Sequence, residues 1–211
     1  MENNSFYIKQ IEVGMMQNFN YLIGCPETGE CGVVDPAFEV DRILSIAKKD
    51  GMNVTTALFT HTHYDHIDGI EELMKRTNVN KIYVHKNEAK ALVGFKEKII
   101  EIDDGSTIPI GKLSLKILHT PGHLPGCVCF LGDNFVVTGD TLFTGAIGRC
   151  DFPESNKKDM YNSLQRLKEL PDETVVYPGH DYGASITSTI GEEKKTNPYM
   201  MISAEENFLR M

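Results

Sequence analysis

Within six consecutive residues, His61-Thr62-His63-Tyr64-Asp65-His66, the chain carries three imidazoles and a carboxylate. Imidazole and carboxylate are the usual ligands of zinc, iron and manganese. Three more groups of the same kinds stand further on: His123 after Thr120-Pro121-Gly122, Asp140 after Thr138-Gly139, and His180 after Tyr177-Pro178-Gly179. Any one of them alone reads more readily as a surface or hydrogen-bonded residue. The metal reading rests on the clustering of His61, His63, Asp65 and His66 and on the repeated Pro-Gly-His. Five His and two Asp exceed what one four-coordinate ion uses, so two divalent ions are the natural count, zinc first, with iron or manganese as alternatives. A pair of ions roughly 3.5–4 Å apart needs a bridging carboxylate and a shared water. Asp140 is the candidate bridge. Such a water ionises near neutral pH, since zinc lowers its pKa to about 7, which supplies a hydroxide without a protein base. His85 and His119 lie outside the pattern and take the plainer, non-ligand reading; Asp68 suits a capping or solvated role.

These groups need elements to hold them, and the hydropathy pattern provides them. Extended stretches fit residues 6–11, 19–23 and 32–34, the last stopped by Asp35-Pro36. Val40, Ile43, Leu44 and Ala47 fall at spacings of three and four, which predicts a helix over 39–49. A strand over 55–60 runs into the histidine cluster, and Ile70, Leu73 and Met74 suggest a helix behind it. Strands are then predicted at 81–84, 113–118, 127–131, 135–138 and 174–177, with helices near 88–93 and over 157–170. Every candidate ligand thereby follows the C-terminal end of a predicted strand. The alternation of strands and helices points to an α/β architecture with sheets inside and helices outside.

Bulk properties narrow the function. The 211 residues suit one domain spanning 1–211. With 41% apolar and 24% charged residues and no long apolar run, the chain reads as globular, with no membrane partner. Residues 1–5 lack an export signal, so a cytoplasmic location is expected. A formal charge of −9 argues against nucleic acid as a partner. Cys25, Cys31, Cys127, Cys129 and Cys150 form no C-x-x-C pair and read as reduced thiols, with Cys127 and Cys129 as small core residues.

As a set, the motifs resemble those of the metallo-β-lactamase superfamily. They comprise His61 to His66 with Gly69 behind, Thr120-Pro121-Gly122-His123, Thr138-Gly139-Asp140-Thr141-Leu142-Phe143 and Tyr177-Pro178-Gly179-His180. The likeness runs from Val33-Val34-Asp35-Pro36 to Asn197-Pro198. It implies a four-layer αβ/βα fold, two mixed sheets packed face to face with helices on both outer faces. It also implies His61, His63 and His123 on a first metal and Asp65, His66 and His180 on a second, bridged by Asp140. Asp65 and Asp140 are then the catalytic carboxylates.

Several antibiotic-cleaving members have a cysteine where Asp140 stands, and the carboxylate points to the glyoxalase II-like branch. The stretch Gly148-Arg149-Cys150-Asp151-Phe152-Pro153 resembles single-domain members of that branch, with Cys150 where threonine is more usual. The activity implied is attack of a metal-bound hydroxide on a thioester such as hydroxyacylglutathione, a small-molecule substrate. Full-length glyoxalase II carries an additional helical domain with glutathione contacts, for which about 30 residues after His180 leave no room. Arg149 either anchors an anionic substrate or locks its loop by pairing with Asp151. Tyr182 either donates a hydrogen bond at the rim or packs beneath the loop. The alternative activity is that of a persulfide dioxygenase, which uses one Fe(II) on the residues matching His61, His123 and Asp140. The run Pro178 to Gly183 resembles those enzymes; the stretch 143–147 lacks their Arg-Gly-Cys turn.

Overall fold

The computed structural model describes residues 6–211; residues 1–5, on which the expectation about export rests, lie outside them. Strands Tyr7–Val13 (β1), Asn18–Gly24 (β2), Glu30–Val34 (β3), Asn53–Leu58 (β4), Lys81–His85 (β5) and Ile99–Ile102 (β6) make one sheet in that spatial order. Strands Thr107–Ile110 (β7), Leu113–His119 (β8), Val128–Leu131 (β9), Phe135–Gly139 (β10), Val175–Pro178 (β11) and Ser188–Thr189 (β12) make the second, ordered β12-β11-β10-β9-β8-β7. Both sheets are mixed: β3 to β6 are parallel and β10 pairs parallel with β11, while the other pairings are antiparallel.

The two inner faces share one core, in which Tyr21, Ile23, Val34 and Leu58 meet Ile108, Leu115, Ile117, Phe130 and Val137. Helices Val40–Lys49 (α1) and Ile70–Arg76 (α3) cover the outer face of the first sheet, packing Ile43 and Leu73 against Leu22, Val33 and Ile82. Helices Lys157–Lys168 (α4), Ile190–Thr196 (α5) and Glu205–Leu209 (α6) cover the second through Leu164, Ile190 and Phe208. Because both faces of each sheet are covered, β2 is buried at every residue, its Asn18 and Asn20 included, and shows no alternation of buried and exposed positions. Each buried Leu, Ile or Phe contributes about 1.5–3 kcal/mol, so the interior clamps the sheets while the loops at their ends carry the polar groups. None of the described helices is long and apolar enough to cross a membrane.

The predicted α/β layers are the observed ones, with differences at the margins. The helix expected near 88–93 is a 3-10 segment, Ala89–Lys98, kinked at Leu92 and Phe95. Gly94 interrupts it and only Leu92 is buried, so no continuous apolar stripe holds an α-helix there. Strands β6, β7 and β12 and helices α5 and α6 were not predicted. β7 and β12 are short edge strands, β7 holding Pro109, and the two helices, of 7 and 5 residues, depend on packing that periodicity does not reveal. The five cysteines are free thiols. Cys127 and Cys129 are buried, whereas Cys150 is half-buried, with burial pushing its thiol up to about 11.

Candidate metal centre

All seven candidate ligands lie just past strand ends at one edge of the two sheets. The loop after β4 brings His61 and His63, and a single helical turn, Tyr64–Ile67 (α2), turns Asp65 and His66 inward and buries both. From the other sheet β8, β10 and β11, which run in one direction, deliver His123, Asp140 and His180. Close approach of these ends requires glycine. Gly139 has φ +49°, and a Cβ on it would collide with Thr60, as one on Gly179 would with the Asp140 carboxylate.

Three sets of ligand-type atoms lie within 4.8 Å of one another: Asp35 with His61 and His66, and the two groups His61 with His63 and His123, and Asp65 with His66 and His180. His123 Nε2 lies 2.8 Å from His63 Nδ1, and His66 Nε2 lies 3.2 Å from His180 Nε2. Two nitrogens bound at 2.0–2.1 Å to one tetrahedral zinc lie about 3.3 Å apart, so the ring nitrogens stand near the separation of paired ligands. Asp140 lies between the groups. Its Oδ2 is 3.5 Å from His123 Nε2, 3.5 Å from His180 Nε2 and 4.0 Å from His61 Nε2, and its Oδ1 is 3.4 Å from His66 Nε2. His61 Nε2 and Asp140 Oδ1 are buried without a hydrogen-bond partner among the described residues. An unpartnered buried nitrogen and carboxylate oxygen that converge on one point are the donor set a cation satisfies, so the residues fit a metal centre.

The outer nitrogens explain why the inner ones converge. His66 Nδ1 meets Asp35 Oδ2 at 3.0 Å, His123 Nδ1 meets the Arg149 carbonyl at 2.8 Å, His180 Nδ1 the Met16 carbonyl at 2.9 Å and His61 Nδ1 the Thr60 hydroxyl at 3.1 Å. With the proton held on the outer nitrogen, the inner lone pair is free to face an ion. Asp35 is itself fixed, accepting from Thr60 N at 2.8 Å and Thr60 Oγ1 at 2.6 Å. Its atoms also fall within reach of His61 and His66. Its contact with the outer nitrogen of His66, however, makes it an orienting group rather than an inner ligand. Glu88 braces the other side, accepting from Thr62 Oγ1 at 2.5 Å and Gly126 N at 3.0 Å. The two residues that lead into α4 pin the His123 loop: Asn156 N donates to the Gly122 carbonyl at 2.8 Å, and Ser155 Oγ to the His123 carbonyl at 2.7 Å.

The electrostatics of the metal-free cluster follow from these contacts. Burial opposes ionisation of Asp140, yet the imidazoles of His66, His180 and His61 hold its carboxyl well below the ordinary range. Burial alone would depress His66, but Asp140, Asp35 and Asp65 outweigh it and raise that imidazole to about 9. Burial and the neighbouring imidazole, His66 for His61 and His123 for His63, keep those two below the usual value.

At the rim, Arg149 pairs with Asp151 through two hydrogen bonds of 2.8 Å and lies 4.7 Å over the Phe152 ring, an arrangement that locks its loop. Phe152 in turn stands edge-on to His63 at 5.0 Å. Tyr182 stacks on His180 at 4.5 Å and meets Phe143 edge-on, so it packs against the centre, with half its surface exposed. Asp68 is exposed, and His85 and His119 stay outside the cluster. Asp35, Asn18 and Glu88 carry structural roles that the motif reading did not assign. Asp35 had a usable signal, an aspartate at the end of a buried strand; Asn18 and Glu88 had none.

The family model of the metallo-beta-lactamase superfamily matches residues 13–180. The chain is 33% identical over 194 residues to the probable polyketide biosynthesis zinc-dependent hydrolase PksB of Bacillus subtilis, covering 92% of this chain and 86% of that protein. It is 34% identical over 193 residues to the mitochondrial persulfide dioxygenase ETHE1 of Homo sapiens, covering 89% and 73%. To the hydroxyacylglutathione hydrolase of Rhodospirillum rubrum it is 35% identical over 177 residues, covering 83% of this chain and 66% of that enzyme.

Proposed function

The chain belongs to the metallo-β-lactamase superfamily, and from that membership we propose that it is a binuclear hydrolase of the glyoxalase II-like type that cleaves a small acyl-thiol. The observation that carries the reading is Asp140, set between two separate three-residue groups and within 4.0 Å of an imidazole nitrogen from each. His61, His63 and His123 would hold one divalent ion, Asp65, His66 and His180 another, with zinc first among the candidates. The pair would supply an attacking oxygen from a shared water and a Lewis acid for the thioester carbonyl.

The protein's own groups do the positioning. Asp140 stays ionised at neutral pH and keeps its charge central to both groups. Asp65 presents Oδ2 toward His66 and His180, 3.6 and 3.5 Å away, as the carboxylate of that group. In the net reaction water adds across the C–S bond; the acyl carbon gains oxygen and the sulfur leaves as thiolate. Arg149 is committed to Asp151, so an anionic thiol carrier finds no free guanidinium there, and hydroxyacylglutathione is the first but not the sole thioester to test.

A second reading has its own support in the persulfide dioxygenase relative. His61, His123 and Asp140 alone form a two-histidine, one-carboxylate set suited to a single Fe(II) with glutathione persulfide as substrate. The convergence of Asp65, His66 and His180 favours the binuclear hydrolase, because a one-iron site leaves that second group without a task. Elemental analysis of protein purified without added metal separates the two. About two ions per chain with turnover of hydroxyacylglutathione or another acyl-thiol is the expected result. One iron per chain, with oxygen uptake on glutathione persulfide and no second ion on titration, would overturn it.

A further inference from the structure

Asn18 opens β2, is 1% exposed and belongs to neither ligand group. Its Nδ2 donates to the Asp65 backbone carbonyl and to Asp65 Oδ2, both at 3.0 Å. That carboxylate oxygen is the one facing His66 and His180. Turning the amide over would press its oxygen against a carboxylate, so the donor must point at Asp65. The consequence is an unsatisfied acceptor: Asn18 Oδ1 is buried without a hydrogen-bond partner among the described residues. If packing alone decided this position, an apolar side chain would serve better than an amide with one end unpaired.

The backbone around Asn18 holds the other side of the same group. Asn18 pairs with His180 in an isolated antiparallel bridge, Phe19 N donates to the Gly179 carbonyl at 2.8 Å, and Asp181 N donates to the Gln17 carbonyl at 2.9 Å. Two residues upstream, the Met16 carbonyl accepts from His180 Nδ1. The stretch 16–19 therefore ties down Asp65 and His180 together. It makes no hydrogen bond to His61, His63 or His123; His61 is met by the Thr60 hydroxyl and His123 by the Arg149 carbonyl, while Glu88 holds Thr62 between His61 and His63.

We propose that Asn18 is the positioning residue of the Asp65, His66 and His180 subsite, setting the affinity for the ion bound there and not for its neighbour at His61, His63 and His123. This rests on the binuclear reading. By taking one lone pair of Asp65 Oδ2, the amide fixes the carboxylate's rotation and leaves the other lone pair toward His66 and His180. Losing an outer partner of this kind weakens metal binding about 10–100-fold.

The test is zinc titration of metal-free wild type, Asn18→Ala and Asn18→Leu by calorimetry, with thermal melts of the metal-free proteins alongside. Expected are two binding steps in the wild type. In both variants the first step stays within about twofold and the second weakens about 10–100-fold. Equal weakening of both steps, no weakening of either, or loss of the metal-free fold in both variants would overturn the proposal by making Asn18 an ordinary structural residue. A wild type that binds a single ion would fail the binuclear reading itself. Two ions in the wild type with unaltered variants would fail the role of Asn18 alone.

Discussion

Two histidine clusters occupy the same end of this molecule, and only one gathers its inward-facing nitrogens around a buried carboxylate. His85 ends β5 and His119 ends β8, beside the strand ends that carry the candidate ligands. Their rings lie face to face, 4.2 Å apart and 7° from parallel. His85 Nδ1 accepts from Asn87 N at 3.2 Å, which leaves the proton on Nε2, and His119 Nε2 meets the Pro125 carbonyl at 2.9 Å. In the ligand cluster the arrangement is reversed: the outer nitrogens of His66, His123 and His180 meet a carboxylate or carbonyl and the lone pairs turn inward onto Asp140. A strand-end position thus brings histidines together. What decides their use is where each ring's second nitrogen is engaged and whether a carboxylate stands between them.

The largest expected effect removes that carboxylate. Asp140→Asn keeps the size but not the charge, and turnover should fall at least about 1,000-fold, several kcal/mol of transition-state stabilisation, with metal content dropping below two ions per chain. The double substitution of His85 and His119 by glutamine should leave both quantities within about twofold, as expected of groups away from the chemistry. Steady-state kinetics and elemental analysis on the same preparations check the pair; a metal loss shared by both proteins would erase the distinction. The next effect lies one layer out. Asp35→Asn replaces the acceptor beside His66 Nδ1 and should weaken zinc about 10–100-fold, whereas Asp103→Asn, beside His85, should leave it unchanged in a competition assay with a chelator.

Legibility in the sequence followed the same division. The seven inner groups could be picked out because they sit in short motifs at strand ends, and all seven meet in space. The layers were readable from β8, whose apolar positions Leu113, Leu115 and Ile117 alternate with polar ones, and from β10, whose apolar run ends at Thr138-Gly139. β12 and α6, with 2 and 5 residues, owe their existence to Tyr177's neighbours and to Phe208 in the outer core, and so to contacts between distant segments. The supporting groups were hidden for the same reason. Asn18 is 47 residues from Asp65 and Glu88 is 26 from Thr62, and neither spacing carries a motif. Asp35, 31 residues from His66, differs in that a buried aspartate ending a strand before proline obeys the rule that exposed the ligands.

The smallest effect concerns the stacked pair and has a definite sign. Burial and the neighbouring His119 hold the His85 imidazole below its ordinary value, against the pull of Asp103, while Lys86 adds to the depression. The folded protein therefore keeps His85 neutral at pH values where the unfolded chain already takes up a proton. As pH falls through about 6.5 the unfolded state gains that proton first, so the stack's contribution is present above this pH and is lost below it. Replacing His85 by glutamine removes the titration. Between pH 7.5 and 5.5 the melting temperature of the zinc-loaded wild type should fall relative to His85→Gln, by the order of 2 °C in a chain of this size. Because both proteins share an unaltered metal centre, its own pH response cancels in the difference. A difference that stays flat across that range would mean the stack does not resist protonation, and one of opposite sign would place His85 under the control of Asp103 rather than of burial and His119.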